Sequence, residues 1–354
     1  MAEAPSEPVT LWHGIMLCVG IAIVSFVTSL AYKPISSLMW AFIYSIAIAN
    51  VVSLPKTFTP GISFCAREFL RGVIAALGIV TSALIWLQVG VGVLNALAVI
   101  FFSYFFGLWL GRRLDLSDTL STLIGVGTSI CGASAIAATG PAIRAREEEM
   151  GLALACITLF GLLAMFVYPF LYANTVVGEW LQRNLNVYSI WCGSGVHEVA
   201  QVAAAGGALG VAGPALLVKA VRVFMIGPMI LLATYVLERR TDVAKVGMAT
   251  KVTLPAYGIV FIALSFCCAF LDAYARQITA LGFDWVPTKA VLSEVVFKFL
   301  LALCFAGVGF KVKFREIAKL GVKPFAVGAF VSILAGVLAL ILAVVVAPLI
   351  PPFG

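Results

Sequence analysis

The chain has 354 residues, of which 62% are hydrophobic and 11% are charged, with a mean hydropathy of +1.11 and a formal net charge of +7. Soluble domains carry roughly a quarter charged residues, so this composition excludes a soluble globular protein and predicts an all-α polytopic membrane protein. The basic residues lie mostly between apolar segments, so the expected environment is the lipid bilayer and not nucleic acid.

Eleven apolar segments are long enough to cross the hydrocarbon core, which takes roughly 20 residues. They cover residues 11–31, 36–54, 67–86, 89–111, 117–142, 149–172, 188–206, 211–236, 253–274, 290–309 and 324–348. Residues 1–10 are acidic and lack the basic region of a cleavable signal peptide, so we expect the first segment to remain as a span. Residues 176–184 are too short and too polar to cross, and they are predicted to form a helix in the membrane interface.

Lysine and arginine are distributed unequally between alternate loops, with fourteen on one side and five on the other. The fourteen are Lys56, Arg67, Arg112, Arg113, Arg183 and the basic residues of 239–251 and 311–323; the five are Lys33, Arg144, Arg146, Arg276 and Lys289. Cytoplasmic loops collect basic residues. We therefore expect a cytoplasmic N-terminus and, after eleven spans, a C-terminus on the opposite side of the membrane.

Without the first segment, two sets of five spans remain, and a repeat with an odd number of spans re-enters the membrane from the opposite side. The predicted organisation is an N-terminal tail and span (1–34), a first inverted repeat (35–172), an interfacial linker (173–187) and a second inverted repeat (188–354). Glycine-rich stretches at 127–141 and 304–310 predict that the fourth span of each repeat is a broken helix. Two such breaks indicate a transport site at the membrane midplane, although a close helix–helix contact is the alternative interpretation of the stretch at 127–141.

Three motifs occur in order along the chain. They are Cys131-Gly-Ala-Ser-Ala-Ile136 with Pro141, the block from Trp191 to Gly206, and Lys219-Ala-Val-Arg222 before Pro228. In these motifs the chain resembles the YeiH-type family of proposed sulfate exporters, over nearly its whole length. The resemblance implies a bacterial inner-membrane protein with inverted five-helix repeats, similar in fold to sodium/proton antiporters and bile-acid symporters. The chain departs from the family pattern at 303–309 and 254–257, which leaves the identity of the substrate open.

The candidate substrate site combines hydroxyl, thiol and glycine positions of both predicted breaks with one arginine. Its residues are Thr128, Ser129, Cys131, Gly132, Ser134, Arg222, Phe305, Gly307 and Gly309. Arg222 lies near the middle of its span with no acidic residue within a helical turn, so its partner is either a group on another helix or a bound anion. By contrast, the pairs Glu68–Arg71 and Glu294–Lys298 have helical spacing and are expected to neutralise each other.

His197, Gln201 and Lys219 are the candidate ion-coupling residues. Histidine titrates near pH ~6.5 and suits a proton relay, although a core histidine bonded to a backbone carbonyl is the alternative. The string from His197 to Gln201 lacks the second histidine of a zinc-protease motif, and no metal, cofactor or catalytic residue is predicted. The eight cysteines are interpreted as small buried side chains.

The predicted function is secondary active transport of a small inorganic or organosulfur anion of the sulfate or sulfite type, by export and an elevator-like movement. H+ or Na+ is the expected coupling ion, and a homodimer is compatible with the pattern. A cation/proton antiporter of the same fold is the first alternative, but neither predicted break contains an acidic residue to carry the cation. An intramembrane enzyme is the second alternative, and it would need a Ser or Cys nucleophile beside His197.

Overall fold

The computed structural model describes residues 11–32, 36–84, 90–239, 256–280, 282–317 and 321–350. Within these ranges all regular secondary structure is helical. The predictions that concern residues 1–10, Lys33, the basic residues of 240–251, the first part of the 254–257 motif, Lys319 and Gly354 lie outside the described residues.

The α-helices follow the predicted apolar segments closely. In chain order they are α1 (Trp12–Ala31), α2 (Ser37–Val51), α3 (Thr59–Phe64), α4 (Leu70–Leu77), α5 (Gly92–Arg113), α6 (Asp118–Ser129), α7 (Ala133–Ala142), α8 (Glu147–Asn174), α9 (Val176–Trp180), α10 (Leu185–Gly195), α11 (Val199–Gly207), α12 (Ala212–Phe224), α13 (Ile226–Glu238), α14 (Ala256–Ala273), α15 (Ala275–Ala280), α16 (Trp285–Val291), α17 (Lys298–Gly309), α18 (Phe314–Ile317) and α19 (Val322–Val346). Two π-helical turns, Cys65–Phe69 and Leu292–Phe297, join α3 to α4 and α16 to α17.

Six of the described helical runs are long and apolar enough to cross a membrane by themselves. They are Trp12–Ala31, Gly92–Arg113, Glu147–Asn174, Ala212–Glu238, Trp285–Gly309 and Val322–Leu349. Shorter apolar helices at Ser37–Val51 and Ile259–Ala273 accompany them. The fold is therefore that of a multi-pass helical membrane protein, as the composition predicts.

The helices form two compact units. Unit 1 contains residues 1–82 and 260–314, and unit 2 contains residues 83–259 and 315–354. Each unit takes helices from both predicted repeats, so the compact units do not coincide with the predicted boundaries at 35–172 and 188–354. The inverted repeat itself stays a prediction.

The first predicted helix break is present, and it turns the chain back. Helix α6 ends at Ser129 and α7 begins at Ala133, with Gly132 between them at a φ of 68° that favours glycine. The Ser117 hydroxyl, at the start of α6, donates to the Glu149 carboxylate in the first turn of α8 at 2.5 Å. Because α6 and α8 therefore start at the same level, α6 and α7 form a re-entrant hairpin. The predicted span at 117–142 is wrong, since a hydropathy window does not register a reversal within one apolar segment.

A second re-entrant hairpin replaces the predicted span at 188–206. Helix α10 ends at Gly195, and α11 begins at Val199. The Tyr188 hydroxyl donates to the Ala205 carbonyl at 3.0 Å, whereas a continuous helix would separate these residues by about 25 Å. The chain therefore reverses between α10 and α11, and this segment does not cross either.

The second predicted break, at 304–310, is contradicted: α17 continues without interruption to Gly309. Its glycines serve close packing inside unit 1. A Cβ atom on Gly307 would lie 2.9 Å from the Ala66 amide nitrogen, and one on Gly309 would overlap the Ser45 hydroxyl. Phe305 is fully buried, with its ring edge-on to Phe42.

Candidate functional site at the hairpin tips

The two hairpins enter unit 2 from opposite ends. The α6–α7 hairpin opens beside Asp115, which forms an ion pair with Lys323 at the start of α19. The α10–α11 hairpin opens beside Asn184, whose amide donates to the Ile350 carbonyl just beyond the end of α19 at 2.9 Å. Helices α6 and α10 contain 12 and 11 residues, a length of roughly 17 Å, which is about half of a ~30 Å hydrocarbon core. The tips therefore lie near mid-depth.

The tips touch each other through Gly132 and Glu198. A Cβ atom on Gly132 would lie 2.6 Å from Glu198 Cγ and 3.2 Å from its Oε1. Gly132 immediately precedes α7, and Glu198 immediately precedes α11. The N-terminal ends of the two returning helices, α7 and α11, thus meet at the tips.

Lys219 is fully buried on α12 and binds carbonyl groups of both tips. Its ammonium group donates to Ile130 at 2.7 Å, to Val196 at 2.8 Å and to His197 at 2.5 Å. A lysine ammonium group has three N–H groups, and three carbonyl acceptors surround it here.

Arg222, one turn further along α12, is also fully buried and also bonds to carbonyl groups. Its Nε donates to Ser129 at 2.8 Å, its Nη2 donates to Thr128, and its Nη1 donates to Ser194 and, at 3.2 Å, to Val196. The partners of Arg222 are thus backbone groups on two other helices, and four of its five N–H groups are used.

These contacts explain how helix ends are tolerated in the middle of a membrane. The last carbonyls of a helix have no partner within the helix, and they carry the negative end of its dipole. Helices α6 and α10 both end at the tips, and Lys219 and Arg222 supply hydrogen bonds and opposite charge to both ends. Each buried cation is therefore stabilised by aligned carbonyl dipoles.

Glu198 is the acidic residue of the second tip, and it is half-buried. Its carboxylate accepts from the backbone N–H of Gln201 in a capping box. The Gln201 side-chain oxygen in turn accepts from the backbone N–H of Glu198 at 3.0 Å. The sequence does not predict this role of Glu198, because the second break is expected at 304–310. A signal was available, since an acidic residue followed three positions later by Gln is typical of a helix start.

His197 lies beside the tip and contacts α19. Its Nε2 is 2.6 Å from the Ser332 hydroxyl, and the imidazole is 1% exposed. The Gln201 side chain also fills the space over Gly161 on α8. His197 and Gln201 therefore lie in the tip region, where their contacts hold the α10–α11 hairpin against α19 and α8.

The hydroxyl groups predicted to bind substrate differ in availability. Ser129 donates to Val126 in its own helix at 2.9 Å. The buried hydroxyls of Thr128 and of Ser194 have no hydrogen-bond partner among the described residues. Ser134 is exposed in the first turn of α7, and Cys131 is buried. Thr128 and Ser134 therefore remain the side chains of the first tip best able to bind a solute.

Phe305, Gly307 and Gly309 belong to unit 1, and their packing there accounts for each of them. The predicted pairs Glu68–Arg71 and Glu294–Lys298 do form, the former at 3.2 Å.

Fold and site together define a multi-pass helical membrane protein with two re-entrant hairpins meeting at buried cations. A protein-family model described as conserved hypothetical protein 698 matches residues 13–328. The chain belongs to this family, which is the YeiH-type family that the motifs resemble.

Relatives carry the name UPF0324 membrane protein. The chain is 28% identical to one from Bacteroides thetaiotaomicron over 335 residues, covering 91% of this chain and 94% of the relative. It is 31% identical to one from Yersinia pestis over 313 residues (85% and 83%) and 31% identical to one from Pseudomonas aeruginosa over 311 residues (85% and 84%). No solved structure was found to match the chain.

Proposed function

We propose that the protein is a secondary transporter with its solute site at the two hairpin tips. The observation that carries the proposal is the pair of fully buried cations, Lys219 and Arg222, where two broken helices meet. Irregular backbone at membrane depth is tolerated where it is buried in protein or lines a solute cavity, and discontinuous helices at mid-depth form the sites of many secondary transporters. The cell inner membrane, implied by the family resemblance, is the proposed location.

The charge at the tips favours a small anion. Two helix C-termini and two helix N-termini meet there, so their dipoles offset each other to first order. Lys219 and Arg222 contribute two positive charges and Glu198 contributes one negative charge, which leaves one positive charge uncompensated. A monovalent anion balances the site when Glu198 is ionised, and a divalent oxyanion of the sulfate or sulfite type balances it when Glu198 is protonated.

Glu198 is the proposed carrier of a coupling proton. Its ionised carboxylate occupies the positive end of α11 and lies against the tip of α6–α7, so it competes with an anion for the same potential. Protonation removes this competition, and an anion and a proton are then bound together. His197 remains the second candidate for the carrier, because its imidazole lies beside the tip.

A cation/proton antiporter is the alternative, and one observation now favours it. The sequence argued against it because the expected breaks contain no acidic residue, but the second break lies at Val196–Glu198 and includes a carboxylate. In this alternative, Glu198 exchanges a proton for a cation. Lys219 and Arg222 count against it, because both raise the cost of placing a further cation nearby.

The two functions are distinguished in liposomes reconstituted with the purified chain. Sulfite, sulfate and organosulfonate are applied with and without a pH gradient, and internal pH and radiolabelled solute are followed. Anion uptake that accelerates with a proton gradient supports the proposal. A change in internal pH that requires Na+ or K+ and no particular anion supports the antiporter. Glu294→Gln, on the exposed face of unit 1, is the matched control for Glu198→Gln.

A further inference from the structure

A cavity at one end of unit 2 lies outside the hairpin tips. It has a volume of about 350 Å³ and lies between the last turns of α5 and α13. Its lining residues are Phe105, Leu108, Trp109, Arg112, Arg113 and Val236. The apolar residues precede the arginines along α5, so the cavity is polar at the helix end and apolar towards the membrane interior.

The polar end of this cavity has unused capacity to bind a negative group. Arg112 donates from Nε to the Asp118 carboxylate at 2.5 Å, but its Nη2 is buried and has no acceptor among the described residues. Arg113 is exposed, and its guanidinium lies 5.8 Å from the centre of the Trp109 ring. Asp118 offsets one of the two positive charges, which leaves one charge at the cavity, equal and opposite to that of one phosphodiester.

The apolar end faces the hydrocarbon region. Phe105 and Trp109 are 48% and 52% exposed on a helix that is long enough to span, so their outer faces are available to acyl chains. Arginines at a helix C-terminus also complement the helix dipole, but the dipole does not supply the acceptor that Nη2 of Arg112 lacks, nor does it fill the groove beside Trp109.

We propose that this cavity binds the headgroup of an anionic phospholipid, with the phosphodiester between Arg112 and Arg113. One acyl chain lies along Phe105 and Trp109, and the indole covers the glycerol region, where tryptophan is enriched in membrane proteins. The forked guanidinium geometry of Arg112 suits a phosphate that accepts from Nη2 while Nε stays on Asp118.

Native mass spectrometry of the full-length chain in detergent tests the site. Phosphatidylglycerol, phosphatidylethanolamine of the same acyl chains and inorganic phosphate are titrated separately. We expect phosphatidylglycerol to bind more tightly than phosphatidylethanolamine, and inorganic phosphate not to compete with it. Equal binding of the two lipids would overturn the proposal, and competition by inorganic phosphate would assign the cavity to a soluble anion instead.

Variants separate this cavity from general surface charge. Arg113→Gln, which breaks no ion pair, and Arg112→Gln are each expected to weaken phosphatidylglycerol binding roughly tenfold. Val236→Trp fills the groove without a change in charge and is expected to do the same. Lys323→Gln removes an ion-paired cation of the same unit that does not line the cavity, and binding should be unchanged. An equal loss in Lys323→Gln would reduce the effect to surface charge and refute the site.

Discussion

Lys219 and Arg222 are distinguished from the chain's other described basic residues by complete burial. Arg71 and Lys298 have carboxylate partners one turn away and partly exposed side chains, as their spacing predicts. The sequence also predicts that the partner of Arg222 is remote. It does not predict a set of backbone carbonyls, because carbonyls are present at every residue and only the turn at each tip makes them available.

Substitution of Lys219 tests its part in holding the tips. Lys219→Met keeps the apolar stem but leaves the carbonyls of Ile130, Val196 and His197 without their donor. Each buried acceptor without a partner costs about 1–3 kcal/mol, so we expect a loss of about 3 kcal/mol or more, measured as a lower melting temperature in detergent. Lys298→Met is the control, and its exposed pair contributes about 0–1 kcal/mol. Equal melting temperatures for the two variants would contradict the assigned contacts.

The pH dependence of anion binding identifies the proton carrier. If Glu198 carries the proton, raising the pH ionises it and weakens binding, while Glu198→Gln binds tightly at every pH. If His197 carries it, His197→Gln flattens the profile and Glu198→Gln does not. Anion affinity is measured from about pH 4 to 9, a range that includes the ordinary pKa values of glutamic acid (~4.3) and histidine (~6.5), by thermal shift, since a ligand of the folded state raises its melting temperature. We expect the flat profile in Glu198→Gln.

The hairpins are the elements that the sequence identifies only in part. The small-residue stretch around Gly132 predicts a break, and the break is there. The reversal of direction does not follow from the stretch, because a kinked span and a hairpin have the same apolar composition. The sequence does not predict the second break, because the segment before it, Leu185–Gly195, is apolar. The glycines at 307 and 309 predict a break instead in a helix that uses them for packing.

Gly132→Ala tests the tip of the α6–α7 hairpin. A side chain at this position is strained by the positive φ, which costs about 1–3 kcal/mol, and its Cβ would collide with Glu198. We expect a lower melting temperature together with altered pH dependence of binding, because Glu198 must move. Gly72→Ala on α4 is the control, where a Cβ meets nothing within 4 Å and alanine is the better helix former. A Gly132→Ala protein that behaves like Gly72→Ala would refute the proposed contact.

Replacement of two spans by hairpins changes the topology of the whole molecule. Nine of the eleven predicted segments are then left to cross, and an odd number still predicts termini on opposite sides. Arg144 and Arg146 join the basic side and Arg183 leaves it, so the ratio of fourteen to five becomes fifteen to four. Fewer exceptions to the charge rule support nine spans over eleven.

Cysteine labelling of intact cells decides between the two topologies. Asp115→Cys, Arg144→Cys and Arg183→Cys are made in a background without reactive native thiols. Nine spans predict that positions 115 and 144 are labelled from one side and position 183 from the other. Eleven spans predict that 115 and 183 share a side. Labelling of 115 and 183 from the same side would restore the eleven-span arrangement.

The bonds that Lys219 and Arg222 make to main-chain carbonyls have an evolutionary consequence. Hydrogen bonds to backbone oxygens do not depend on the side chains that those residues carry. The bonds of Lys219 and Arg222 are therefore expected to persist when the neighbouring hydroxyl groups are replaced. The side chains of Thr128, Ser134 and Ser194 are therefore not needed for these contacts. They can change when selection favours a different solute. Relatives that share the lysine and the arginine are then expected to differ from one another at these three positions.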